Sequence, residues 1–207
     1  MPHGFARIAF TPTVQRMQEE RGSRAAYARM DAIAEPVNAE LGEVEAAFLA
    51  ARDSFYMATV SETGWPYVQH RGGPAGFVRA LDPTTLGFAD FRGNRQYVSV
   101  GNLQTDDRVS LFFMDYPGRR RLKLFGRARV IGADHPLLAQ LEVPDYRARV
   151  EQGVLIAVEG FDWNCPQHIT ERFTLEEVGA AMAPLRARIA DLEAQLSRRD
   201  ADMSAPD

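Results

Sequence analysis

The chain has 207 residues, of which 45% are hydrophobic, 10% aromatic and 25% charged, with a formal net charge of −4. This length implies one domain, or one with an appendage, and the composition is too apolar for disorder and sufficient for a core without disulfides or a structural metal. The negative balance excludes a general attraction to nucleic acid or anionic membrane, no apolar run approaches the roughly 18 residues of a membrane span, and a lone Cys165 excludes an internal disulfide or a Cys-rich zinc module.

Residues 1–53 read as a helical N-terminal segment. Met1 to Phe10 has no continuous apolar core, so no signal peptide is expected and the expected location is cytoplasmic. Thr11-Pro12 is a helix start, with threonine as N-cap and proline preset for the first turn. Val14 and Met17 then fit a short amphipathic helix that ends at Gly22. Ser23 caps a second segment in which Tyr27, Met30 and Ile33 share a face until Pro36 interrupts. A third helix is expected over Glu43 to Arg52.

Beyond residue 53 the apolar period shortens to 2. Strands are expected over Phe55 to Val60, Tyr67 to Arg71, Phe77 to Leu81, Thr85 to Asp90, Arg108 to Met114, Arg121 to Ile131 and Val154 to Phe161. Ser61 to Pro66 reads as a hairpin turn, and short helices fit Tyr97 to Leu103 and Pro136 to Leu141. Strands at this spacing form a closed or half-closed antiparallel barrel over residues 54–170. The fold class is therefore mainly β (α+β): an antiparallel split barrel with flanking N-terminal helices and a C-terminal helix.

Residues 174–199 form that helix. Leu175, Val178, Met182, Leu185, Ile189, Leu192 and Leu196 repeat at alternating intervals of 3 and 4, the seam of a coiled coil. Thr174 and Glu177 fit a capping box, and Pro184 implies a kink or fresh start near Ala183. Periodicity alone leaves open whether the stripe covers the chain's own barrel or a partner subunit.

Candidate chemistry lies in three places. Arg119 to Arg129 holds six cations and no acid, and a strand there sets Arg121, Lys123, Phe125, Arg127 and Arg129 on one face. Such a row binds anions, or is a solvated face paired with acids of a neighbouring strand. Gln69-His70-Arg71-Gly72-Gly73 joins a fork donor to glycines that let a ligand approach the backbone. Arg92-Gly93-Asn94-Arg95-Gln96, before a short helix, is a plausible phosphate cradle. The chain has no Walker loop and no GxGxxG. Cys165 and His168 make at most half a zinc site, so no metal is expected, and Cys165 lacks an evident base. Phosphate corners without acid/base machinery point to a cofactor that brings its own chemistry.

The order Met57-Ala58-Thr59-Val60, Gly64-Trp65-Pro66, Tyr67 to Arg71, Gly93-Asn94-Arg95-Gln96, Asp107 to Phe113 and Leu124-Phe125-Gly126-Arg127-Ala128 resembles the FMN-binding split-barrel family typified by pyridoxamine phosphate oxidase. The resemblance implies a homodimer with FMN at the subunit interface. It puts Gln69, His70, Arg71 and Gly72 where a strand touches flavin and phosphate, Ala89 and Asp90 where another passes the cofactor, and Arg95 and Gln96 on the phosphate, with glutamine replacing the family's lysine. Arg121 falls where the family approaches the flavin from the other subunit. Asp162 to His168, with Trp163, resembles a segment that closes over the site. The aromatic and arginine segment with which the oxidase proper grips its substrate is replaced by the heptad helix, so pyridoxamine phosphate is not the expected substrate. The function implied is an FMN-dependent oxidoreductase that moves hydride through flavin N5. Alternatives are a flavin-storage protein without turnover, or a split barrel carrying haem or a deazaflavin. Neither a nucleic-acid nor a membrane partner is expected.

Overall fold

The computed structural model describes residues 3–31, 37–164 and 166–203. Four helices come first: α1 (Gly4–Ala9), α2 (Pro12–Glu20), α3 (Arg24–Asp31) and α4 (Glu43–Ala50). Thr11 caps α2 through its hydroxyl, which accepts from Val14 N, and Gly22 takes the left-handed φ of +74° that lets the chain turn before α3. The interruption expected at Pro36, and Ile33 before it, lie outside the described residues.

Seven strands follow: β1 (Ser54–Val60), β2 (Pro66–Gly72), β3 (Val78–Asp82), β4 (Thr85–Phe91), β5 (Arg108–Asp115), β6 (Arg120–Ile131) and β7 (Val150–Trp163). Two short helices, α5 (Val98–Asn102) and α6 (Leu138–Leu141), interrupt them. One antiparallel sheet results, in the order β2-β1-β5-β6-β7-β4-β3. It curls on itself, because the Phe55 ring of β1 lies 5.2 Å from Phe88 of β4 although three strands lie between them along the hydrogen-bonded order. The edges β2 and β3 remain unpaired with each other, which is the split of the barrel. Alternation fills the interior: Phe55, Met57, Leu111, Phe113, Leu122 and Leu124 are all buried.

The short α1 carries no periodic signal, and tertiary contacts hold it. Phe5 stacks on Phe125 at 5.1 Å, and Lys123 Nζ stands 4.4 Å from the Phe5 ring centre. A bulge in β7, where Phe125 pairs with Gly160 but Gly126 with Val158, frees Glu159 to reach Arg7 and Arg127. Hydrogen bonds from Arg7 first, then Arg127, hold the Glu159 carboxyl below the usual range. A Cβ on Gly160 would stand 2.3 Å from the Gly4 carbonyl carbon. Gly160→Ala should therefore lift α1, costing about 1–3 kcal/mol as an overpacking change. Faster amide exchange confined to residues 4–9 and their β6–β7 seat is the expected readout.

By compactness the chain divides into two units: Met1–Asp115 with Arg119–Gln167, and Tyr116–Gly118 with His168–Asp207. The second contains α7 (Leu175–Met203), which continues through Pro184 as one helix, without a fresh start at Ala183. Proline removes one N–H bond there, but the turns on either side keep theirs. The capping box forms, with Thr174 N donating to Glu177 Oε2 at 2.7 Å and Glu177 N to Thr174 Oγ1 at 3.2 Å.

Candidate functional site

Strand β2 lies at the split. Its Gln69 and Arg71 pair in register with the buried Met57 and Phe55, so both face the barrel interior. His70, opposite Tyr56, faces outward with its ring edge-on to that tyrosine at 5.5 Å. The alternation that the sequence showed thus divides the predicted run Gln69 to Gly72 between two faces.

Arg71 reaches across the split to β4. Its Nη1 donates to Asp90 Oδ1 at 2.5 Å, and both side chains are only 12% exposed. Asp90 Oδ2 accepts from Gln152 Nε2 at 2.9 Å, and the guanidinium stands 5.8 Å from the Phe88 ring centre. Arg71 Nε is buried and has no partner. A buried cationic N–H without an acceptor is costly, and a ligand oxygen would satisfy it.

The loop from β4 to α5 forms the second wall. Arg95 and Tyr97 adopt left-handed φ of +60° and +55°. Arg95 Nε donates to Tyr97 Oη at 2.9 Å, and that hydroxyl donates to Glu151 Oε2 at 3.3 Å. Arg92 pairs with the same Glu151 at 3.4 Å. Arg71 is thus matched by Asp90 and Arg92 by Glu151, while Arg95 meets a carboxylate only through a phenol. Counting Arg92, which lines neither of the two hollows here, the three arginines exceed the two carboxylates by one. Ser99, 1% exposed on α5, donates to Gln69 Oε1 at 2.8 Å. With its carbonyl end engaged, the Gln69 amide keeps its N–H donors for a ligand.

Two adjoining hollows contain this arrangement. One is lined by Gln69, Arg71, Asp90, Asn94, Arg95, Gln96 and Tyr97, the other by Gln69, His70, Arg71, Gly72, Ala89 and Asp90 among others. Eight of the ten predicted site residues, from two stretches of β-sheet and one loop, therefore converge. Arg121 and Trp163 line neither hollow. Arg121 sits on β6 with its guanidinium 5.6 Å from the Phe112 ring centre and its Nε buried without a partner. Trp163 Nε1 donates to Glu45 Oε1 at 2.8 Å and its ring meets Phe48 edge-on at 4.7 Å, tying β7 to α4.

Two cations of the row on β6 are neutralised by acids from elsewhere in the chain. Lys123 pairs with Asp162 at 2.8 Å, and Arg127 with Asp107 at 2.7 Å and Glu159 at 3.2 Å. Ser99, Glu151 and Gln152 belong to the site but carried no sequence signal, since each acts on a residue far along the chain, while Tyr97 links its near neighbour Arg95 to the distant Glu151. Among the described residues no three His, Cys, Asp or Glu side chains group to hold a metal, and no helix is long and apolar enough to cross a membrane. Cys165 lies outside the described residues.

A family model described as pyridoxamine 5′-phosphate oxidase matches residues 41–168, more than half of the chain. No curated protein matches the sequence. Solved structures similar to this chain include HupZ of Group A Streptococcus, at 16% identity, covering 64% of this chain and 100% of that one with a TM-score of 0.49. An FMN-binding protein of Syntrophomonas wolfei is 9% identical, with 74% and 95% covered and a TM-score of 0.46. The haem storage protein HutZ of Vibrio cholerae is 16% identical, with 56% and 88% covered and a TM-score of 0.40.

Proposed function

Because the chain belongs to the pyridoxamine 5′-phosphate oxidase family, we propose that it is an FMN-dependent oxidoreductase of a small molecule, working as a homodimer. The observation that carries this reading is the buried, unpartnered Nε of Arg71 in a hollow that Arg95 also lines. FMN, when bound, supplies hydride transfer at N5. The chain's own residues bind and orient. Arg71 and Arg95 take the phosphate oxygens, and Gln69, held by Ser99, offers its amide N–H to a flavin carbonyl or ring nitrogen. Asp90 keeps Arg71 in place.

Two observations favour a second copy. The hollows hold about 60 and 150 Å³ in the single chain, below the roughly 300–1,000 Å³ of complete small-molecule sites. The second is Arg121, whose buried Nε lacks an acceptor on a sheet face that also exposes Tyr56 and Val68.

Protein purified from cells is expected to be yellow and to release FMN, not FAD, on denaturation. Colourless protein that takes up no added FMN, a haem Soret band or a deazaflavin spectrum would overturn the proposal. Apoprotein titrated with FMN should bind more weakly after Arg95→Ala, and by a smaller factor than after Arg71→Ala, because Arg95 is exposed and screened.

A further inference from the structure

The helix α7 leaves its whole apolar stripe in water. Leu175, Val178, Met182, Leu185, Ile189, Leu192 and Leu196 are each at least 41% exposed in the single chain, up to 92% for Leu175. A continuous stripe of this kind marks an interaction surface. We propose that its occupant is the α7 of a second copy of this chain, paired parallel and in register as a two-stranded coiled coil. This proposal is independent of the flavin reading.

Three features select that occupant and that direction. Parallel, in-register pairing sets each of the seven residues against itself, so no layer is lost. Leu175, Met182, Ile189 and Leu196 take the a positions and Val178, Leu185 and Leu192 the d positions. One heptad, with Ile189 at a and Leu192 at d, carries the combination that favours two parallel strands.

Charge is the second feature. Arg188 occupies a g position and Glu193 the e position of the next heptad. In a parallel pair these two meet across the interface, once from each chain. In the single chain Arg188 turns instead to Asp191 on its own helix at 2.7 Å, an exposed pair of little worth. Antiparallel pairing sets a against d and keeps at most six layers. The antiparallel register that retains Leu196 brings Arg186 and Arg188 each against its own copy, two like-charge contacts.

The third feature is Pro184, which occupies a c position on the side away from the seam. The lost N–H bond therefore falls on the solvent face, and the a and d knobs above and below it stay in phase. Helices in proteins draw most of their stability from packing an apolar face, so pairing stabilises α7 as well as hiding the stripe.

Oxidative cross-linking of the full chain decides the matter, with Cys165→Ser in every variant to remove the native thiol. Leu192→Cys at a d position should form a covalent dimer on mild oxidation, and Ala187→Cys on the outer face should not. Cross-linking at Leu192→Cys no faster than at Ala187→Cys would overturn the coiled coil, even if sizing still showed a dimer built by the barrel. Faster cross-linking of mixed Leu175→Cys and Leu192→Cys chains than of Leu192→Cys with itself would overturn the parallel direction.

Discussion

Phe55→Ala is expected to lower the stability of the barrel by about 3–5 kcal/mol, the range for removing a buried phenylalanine. Phe55 is 1% exposed and sits in contact with three other rings. It stacks on Phe113 at 4.9 Å and Phe77 at 5.8 Å, and meets Phe88 edge-on at 5.2 Å. Phe113 belongs to β5, next to β1 in the sheet, whereas Phe77 precedes β3 and Phe88 lies on β4 at the far end. The ring therefore joins the two ends of a sheet that no backbone hydrogen bond closes. Its loss removes transfer energy, leaves a cavity between elements that cannot easily collapse, and deletes ring pairs worth about 0.5–1.5 kcal/mol each. Since a domain's whole stability is about 5–15 kcal/mol, much of it would go. Urea titration, with the m-value checked for constancy, measures this. Phe55→Leu, which keeps most of the volume, should cost clearly less. A loss below about 1 kcal/mol for Phe55→Ala would mean that the split ends are held by something else.

Arg71→Ala carries the largest expected effect on the site, and it acts in two ways that can be separated. The substitution leaves the Asp90 carboxylate buried with only Gln152 for company. Breaking a buried ion pair from one side costs about 3–5 kcal/mol of stability. It also removes the charge-assisted bond proposed to hold the FMN phosphate, worth about 1.5–3 kcal/mol or roughly tenfold to a hundredfold in Kd. Arg71→Met combined with Asp90→Leu removes both charges at once. The double variant should recover most of the lost stability, because apolar replacement of a buried pair is often neutral. Its FMN affinity should stay low. Thermal unfolding of the apoproteins reads the first effect and flavin fluorescence quenching the second. Parent-like FMN binding in a folded double variant would remove Arg71 from the phosphate site.

Local features of this chain were legible because they depend on near neighbours. The Thr11-Pro12 start, the Thr174 and Glu177 capping box, and the alternation in β1, β2, β5 and β6 all involve residues within four positions of one another. The site was legible in pieces for the same reason. Arg71 and Arg95 could be singled out by their type and by the glycines beside them, and the structure brings both to one hollow. What each piece does there was not legible. Whether an arginine is free, paired or orphaned depends on Asp90, 19 residues away, and Gln152, 62 residues beyond that.

The sequence by itself determined the type of every element but α1, the alternating period of the strands, and the heptad seam of α7. These follow from a period of 2 or 3.5 and from turn chemistry, both of which are local. Only the tertiary structure decided which of the β6 cations are neutralised, since Asp107, Glu159 and Asp162 come from elsewhere in the chain. It also decided that α1 forms at all, because six residues with no apolar period are helical only where Phe125 and Gly160 receive them. Trp163 is the sharpest instance. Its neighbours in sequence resemble a cover for the cofactor, yet its indole N–H is taken by Glu45, 118 residues away, and its ring by Phe48. A partly buried indole goes where its apolar face and its single donor can both be satisfied, and that place exists only once the barrel has closed.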